Sequence, residues 1–222
     1  LYDISKKPAA KIGPANDLMG FTAAMNEDVF YASGHPGPGS TLSSPLGLLK
    51  TSDGGKTWEQ LSRQGESDFH ALTATKSGIV AFDGTMRTSP DGISWQPSAA
   101  KFTPAVLAGS PYGDTVLATT EEGVQRSVDG GVTWALDKSS PVIQFAAFAT
   151  ATEAVGVAPD GTAYYSPDAG STWQRTGKIA GGIQALAATE GADGKPWIWA
   201  VTSTGLVVST DGGTTVRPAA AD

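Results

Sequence analysis

Thr51-Ser52-Asp53-Gly54-Gly55-Lys56-Thr57-Trp58 is the stretch on which the reading of this chain turns. The same order of residue types returns as Ser127-Val128-Asp129-Gly130-Gly131-Val132-Thr133-Trp134 and as Ser166-Pro167-Asp168-Ala169-Gly170-Ser171-Thr172-Trp173. Two looser copies are Ser89-Pro90-Asp91-Gly92-Ile93-Ser94-Trp95, one residue shorter, and Ser209-Thr210-Asp211-Gly212-Gly213-Thr214-Thr215-Val216, with valine in the tryptophan position. The five aspartates, Asp53, Asp91, Asp129, Asp168 and Asp211, stand 38, 38, 39 and 43 residues apart. That period suits a four-stranded propeller blade.

The repeat has a local physical reason. A short carboxylate accepts backbone N–H groups across a turn, and glycine supplies the positive φ that the turn requires. The ring of Trp58, Trp95, Trp134 or Trp173 then buries a large apolar surface between neighbouring units. These aspartates and tryptophans are therefore structural residues, not catalytic ones.

Between the repeats, short β runs are bounded by Gly, Pro, Asp and Ser, with almost no helical periodicity. Labelled A to D from the inside, the strands of a first full blade are expected at 20–25, 29–33, 46–51 and 57–62. A second has them at 69–75, 79–82, 85–89 and 94–97, and a third at 105–109, 115–119, 123–127 and 133–137. Inner strands at 143–150 and 183–189 open the last two. Each repeat is then a C-to-D turn. The fold expected is an all-β propeller of four-stranded antiparallel blades, one domain over 1–222, with Asp-box blades at 17–64, 65–100, 101–140, 141–180 and 181–222. Residues 1–14 hold only two short strands, near 1–4 and 10–13. They read as the C and D strands of a sixth, incomplete blade; the rival is a five-bladed ring with an N-terminal flap.

Composition narrows the function classes. The 222 residues include 28 Gly and 14 Pro, no cysteine, and 15 Lys plus Arg against 22 Asp plus Glu, a net charge of −7. A domain of this size builds a sufficient apolar core without disulfides. The acidic balance argues against nucleic acid as a partner, because phosphate tracking needs clustered Lys and Arg. No apolar run is long enough for a membrane span, and no basic-then-apolar signal opens the chain.

In such blades the A-to-B and C-to-D turns share one face, so the repeats mark the bottom. The top face receives Asp17, the twelve-residue loop 34–45, the 65–70 connection, and Asp83. Both histidines, His35 and His70, fall there. A long loop in a tight repeat is a functional signal. Aligned inner-strand starts put Met19, His70, Val106, Gln144 and Gln184 near the mouth of the central channel.

The pattern Ser/Thr-x-Asp-x-Gly-x-Thr-Trp resembles the Asp-box, or BNR, repeat of sialidases, sortilin-type receptors and related propellers. The phrases 17–22, 32–36 and 65–70 resemble a bacterial group of secreted Asp-box proteins usually labelled glycosyl hydrolases. That resemblance implies an extracytoplasmic protein, its signal segment absent from this chain, and a His-x-His-Gly strand with a following strand as the missing A and B strands. The repeat is also similar to that of photosystem assembly propellers, which bind protein, although this chain lacks their basic patches.

A sialidase clamps its substrate carboxylate with arginines. Arg63, Arg87, Arg126, Arg175 and Arg217 all fall on predicted outer strands or their ends, which argues against that activity. A glycosidase needs a pair of carboxylates about 5 to 9.5 Å apart. Glu66 and Asp68 are the catalytic candidates, with Asp17 and Asp83 nearby, and simple Asx turns explain the same residues. His35 and His70, with Met19 and Glu66 or Asp68 in reach, are the candidate ligands for copper or another divalent metal. The reading reached is a recognition module whose top-face loops bind a glycan or protein ligand through Asp17, Met19, His35, His70, Asp83, Gln144 and Gln184. Glycoside hydrolysis and metal binding are the alternatives.

Overall fold

A computed structural model of the chain describes residues 1–219 apart from Ser5 and Lys7. The parts of the 1–14 and 181–222 spans that include Ser5, Lys7 and 220–222 lie outside the described residues. Five four-stranded antiparallel sheets follow one another along the chain, each with its strands in sequence order from inside to outside. Blade one contains β3 (Asp17–Ala23), β4 (Phe30–His35), β5 (Leu48–Thr51) and β6 (Glu59–Ser62), after a small hairpin of β1 (Tyr2–Asp3) and β2 (Ala10–Lys11). Blade two contains β7 (Ala71–Thr75), β8 (Gly78–Phe82), β9 (Met86–Ser89) and β10 (Gln96–Pro97). Blade three contains β11 (Val106–Gly109), β12 (Val116–Thr120), β13 (Gly123–Ser127) and β14 (Ala135–Asp137). Blade four contains β15 (Phe145–Phe148), β16 (Ala154–Val157), β17 (Thr162–Ser166) and β18 (Gln174–Lys178). Blade five contains β19 (Ile183–Thr189), β20 (Trp197–Thr202), β21 (Gly205–Ser209) and β22 (Arg217–Pro218). The described residues thus form five complete blades and a two-stranded hairpin, where the sequence led us to expect six blades with one incomplete.

The repeats build the C-to-D turns by one hydrogen-bond scheme. In blade three, Ser127 Oγ donates to Asp129 Oδ1 at 2.7 Å and accepts the Gly131 amide at 2.9 Å. Asp129 then accepts the Thr133 amide at 2.9 Å and the Thr133 hydroxyl at 2.6 Å. The turns around Asp53, Asp168 and Asp211 follow the same pattern. Each also bonds to its own blade's A-to-B turn, through the amides of Gly54, Gly130, Ala169 and Gly212 to the carbonyls of Asp28, Asp114, Thr152 and Pro196.

Packing runs from blade to blade. Leu48, Phe69, Leu72, Ile79 and Ala81 join blades one and two, with Phe69 stacked on Trp95 at 4.8 Å between ring centroids. Val80, Met86, Leu107 and Val116 join two and three, Leu117, Val124, Ile143 and Ala154 join three and four, and Val155, Val157, Ile179 and Ile198 join four and five. Each interface buries several large aliphatic side chains at about 1.5–3 kcal/mol apiece, so blade-to-blade burial is the main favourable term in this fold. Side-chain locks add register: Ser62 Oγ donates to the Gly92 carbonyl and Ser98 Oγ to the Gly131 carbonyl, both at 2.5 Å, each from a D strand or its end to the next turn.

The inner strands pack side by side in the order β3, β7, β11, β15, β19. At the two ends of that series the walls are open: every residue of β7 is buried, whereas alternate residues of β3 and most of β19 are exposed.

Candidate functional site

The top-face loops of blades one and two bring three of the predicted residues together. β4 ends at His35, and Asp68 and His70 flank Phe69, whose ring is fully buried and whose amide is held by Ser33 Oγ at 3.0 Å. That anchor fixes the backbone on both sides of it. His35 Nε2 lies 3.0 Å and His70 Nε2 2.6 Å from the same oxygen, Asp68 Oδ2. His35 Nδ1 lies 3.1 Å from the Ser44 hydroxyl, a hydrogen bond that ties the long loop to the site. Asp68 Oδ1 is buried and receives no hydrogen bond from any described group. A buried acceptor without a donor is costly and calls for a partner. The imidazoles themselves are open, with side chains 46% and 64% exposed.

Beside this trio lies a second cluster. Ser67 is fully buried; its hydroxyl donates to Asp83 Oδ2 at 2.6 Å and accepts Arg63 Nε at 2.5 Å. Arg87 Nε reaches both Asp83 oxygens at 3.1 Å, and Arg63 adds a 3.6 Å contact to Asp83 and a 3.5 Å contact to Glu66. Burial alone would raise the Asp83 pKa, yet the Ser67 hydroxyl and the Arg87 guanidinium outweigh it and hold the carboxyl below its ordinary range. Asp83 therefore stays ionised and engaged in holding the loops. Glu66 is exposed and paired to Arg63.

The remaining candidates lie around this centre. Asp17 stands opposite His35 in the β3–β4 ladder, exposed, and Met19, Gln144 and Gln184 are also exposed at or beside the starts of their inner strands. Copper or another divalent metal held by His35, His70 and a third ligand is one of the alternatives raised by the sequence. The two imidazoles converge on one carboxylate oxygen instead, and among the described residues no group of three or more His, Cys, Asp or Glu side chains is arranged to hold a metal ion.

Two features escaped the sequence reading. Arg63 and Arg87 stand at outer strands, and their length carries the guanidinium groups to Asp83. A groove of about 740 Å³ lies elsewhere on the top face, between the connection at 99–105 and the turn at 120–122, and includes Lys101, Glu121, Glu122 and Gln125. The only trace of it in the sequence is the Pro104-containing D-to-A connection. Among the described residues no helix is long and apolar enough to cross a membrane.

No known family's sequence profile matches the chain, and no curated protein sequence matches it. Solved structures do. The chain is similar to the GH74 enzyme of Niastella koreensis, with a TM-score of 0.62 at 14% identity, over 94% of this chain and 32% of that one. It is also similar to YCF48 bound to D1 peptide, with a TM-score of 0.57 at 16% identity, over 93% of this chain and 69% of that one. YCF48 from Cyanidioschyzon merolae gives a TM-score of 0.53 at 14% identity, over 92% and 69%. The chain spans about a third of the GH74 enzyme's length. At these identities the likeness establishes the β-propeller fold.

Proposed function

We propose that this propeller, an Asp-box protein by its repeat, is a recognition module that binds a ligand at the top face of blades one and two. One observation carries the reading. Asp68 holds two exposed imidazoles side by side through a single oxygen. The imidazoles offer a ligand rich in hydroxyl or amide groups flat surfaces and further hydrogen bonds. Glycans and peptide backbones both carry such groups. Asp17, Met19, Gln144 and Gln184 extend the contact around the mouth, and Asp83 with its arginines serves as support.

The half-blade reading belongs to this proposal. Gly13 lies against the carbonyls of Gly55 and Lys56, as Gly177 of blade four lies against those of Gly213 and Thr214. Leu1 meets Gly55 as Leu48, at the start of strand C of blade one, meets Gly92. By this equivalence β1 and β2 stand to blade one as outer strands C and D of a preceding blade.

The test is a binding screen of oligosaccharide and peptide arrays with the wild-type chain, the His35→Ala/His70→Ala double variant and Asp129→Ala. The double variant folds normally and loses binding at least tenfold. Asp129→Ala lowers stability and leaves the affinity of the folded protein unchanged. Undiminished binding by the folded double variant sinks the proposal, and glycan cleavage abolished by Glu66→Gln or Asp68→Asn replaces it with a hydrolase.

A further inference from the structure

We infer that the groove at the top of blades two and three is a second binding site, one that takes a short peptide with free termini in extended form. It stands independently of the histidine site, one blade interface away.

Gln125 carries the argument. Its position in β13, two residues ahead of the serine that opens the repeat turn, is held by Leu49, Arg87, Tyr164 and Val207 in the other blades. Register fixes where the side chain points. Gln125 pairs with Ala118, which packs between blades two and three, whereas its neighbours Val124 and Arg126 turn to blade four, Val124 in the apolar cluster and Arg126 on the Ala169 carbonyl. Gln125 therefore faces blade two. In the other blades this position is occupied by a partnered side chain: Leu49, Tyr164 and Val207 belong to apolar clusters, and Arg87 is held by Asp83. Gln125 is only 8% exposed, and among the described residues its amide has no hydrogen-bonding partner. Neither amide atom is sealed off, so both open into the groove that the residue lines. A primary amide more than nine-tenths buried, with donor and acceptor both unused, is unfavourable in a purely structural role, where a leucine would serve better.

The surroundings define the ligand. Phe102 and Trp134 meet edge to face at 5.3 Å between ring centroids, and the Trp134 indole N–H already donates to Ser98 Oγ and the Gly131 carbonyl, so both residues offer the groove apolar surface. Lys101 stands on one side, Glu121 and Glu122 on the other; all three are exposed, and among the described residues none has an ion-pair partner. In an extended peptide the N–H and C=O of one residue point the same way, so the Gln125 carboxamide bonds to both. The peptide's terminal carboxylate then meets Lys101, its terminal ammonium meets the two glutamates, and an apolar side chain lies against Phe102 and Trp134. A neutral sugar would offer Gln125 vicinal hydroxyls and leave the opposed charges unmatched. The volume of about 740 Å³ falls in the range of small-ligand sites.

The experiment titrates the isotope-labelled chain with the free tripeptide Ala-Leu-Ala, with the same peptide acetylated at its amine, and with maltotriose, following backbone amide shifts by NMR. The free peptide moves the amides of 101–103 and 120–125 and leaves those of 33–35 and 68–70 in place. Acetylation weakens binding about three- to fivefold, and the Glu121→Gln/Glu122→Gln variant loses as much for the free peptide. Gln125→Leu, which copies Leu49, keeps or raises Tm and weakens binding about tenfold or more, since two hydrogen bonds are lost. The inference fails if about 10 mM peptide moves none of these amides. It fails equally if the folded Gln125→Leu chain binds as the wild type does. A fall in Tm for Gln125→Leu would give the amide a structural role instead, and tighter binding of maltotriose than of the free peptide would make the groove a sugar site.

Discussion

At Ala169 the backbone holds φ 56°, the left-handed conformation that Gly54, Gly130 and Gly212 adopt at the same turn position with φ 72°, 69° and 73°. An alanine bears that conformation in blade four, so the first of the two turn positions tolerates a methyl group at a modest cost. The next position does not. A Cβ on Gly212 meets nothing closer than Pro196 Cδ at 3.8 Å, whereas one on Gly170 stands 2.6 Å from Leu117 Cδ2. Gly212→Ala therefore costs about 1 kcal/mol of backbone strain, and Gly170→Ala at least about twice that, since the buried leucine must move. Urea titration of both variants checks the ratio. Beside these glycines the turn carboxylates hold their protons weakly. The Thr57 amide, its hydroxyl and the Thr51 hydroxyl lower Asp53 to about 2, and the Ser94 and Ile93 amides do the same for Asp91. At Asp211 burial opposes the shift, but the Thr215 hydroxyl and amide prevail and the value is again about 2. A carboxyl depressed on folding stabilises the native state above its unfolded pKa of about 3.9, and that contribution disappears as the pH falls through the folded value. The urea midpoint should therefore be flat above about pH 5 and fall progressively between pH 5 and 2, most steeply below pH 4. A midpoint still unchanged at pH 2 would contradict the bonding scheme of the turns.

Blade two shows how one element adjusts to another. Its A-to-B turn is only Lys76 and Ser77, and these bond outward to the Gly113 carbonyl and the Asp114 carboxylate of the next blade. No A-to-B carbonyl then faces the blade's own C-to-D turn, and the residue missing from that turn is the one whose amide makes this bond in the other four. Gly92 keeps the other duty, donating its amide to Ser89 Oγ at 2.8 Å and accepting the Ser62 hydroxyl at its carbonyl at 2.5 Å. Inserting a glycine between Asp91 and Gly92 should therefore lower Tm by a few degrees, because an added amide gains no acceptor and Gly92 leaves its place. A rise in Tm would show the short turn to be a defect. The same blade explains what the sequence disclosed. The repeat is legible because each of its residues has a local task within eight positions of chain, and five copies leave one architecture. The site is legible only as a neighbourhood: loop length and the two histidines mark it, but the convergence of His35 and His70 on Asp68 depends on the register between blades one and two. The position of β3, from Asp17 and not from residue 20, was hidden for a related reason, since an irregularity in the β3–β4 ladder between Leu18 and Gly20 extends pairing into what reads as a loop.

Across the whole molecule, stability follows from how many neighbours a blade possesses. Blades two, three and four are each packed on both faces, and their inner strands are largely buried. Blade one and blade five each have one full interface. On its second face blade one keeps only Ala32, Leu46 and Leu49, with Leu18 and Trp58 against them, and blade five leaves Trp197 and Val201 exposed. In a chain of stacked units the end members lose the interface term and open first. Native-state hydrogen exchange should therefore rank the strands by position and not by length. The five-residue β7 and β12 and the four-residue β16 should exchange most slowly, and the seven-residue β3 and β19 fastest, although the last two have the longest ladders. Substituting Phe69 by leucine should weaken blade one selectively, because its ring joins that blade to Trp95. The loss of about 1–2 kcal/mol expected for a shape change in the core should appear as faster exchange in β3 and β4 with β16 unaffected. Uniform acceleration across all five blades would instead mean that the ring unfolds as one cooperative unit, and that the open slot does not divide it.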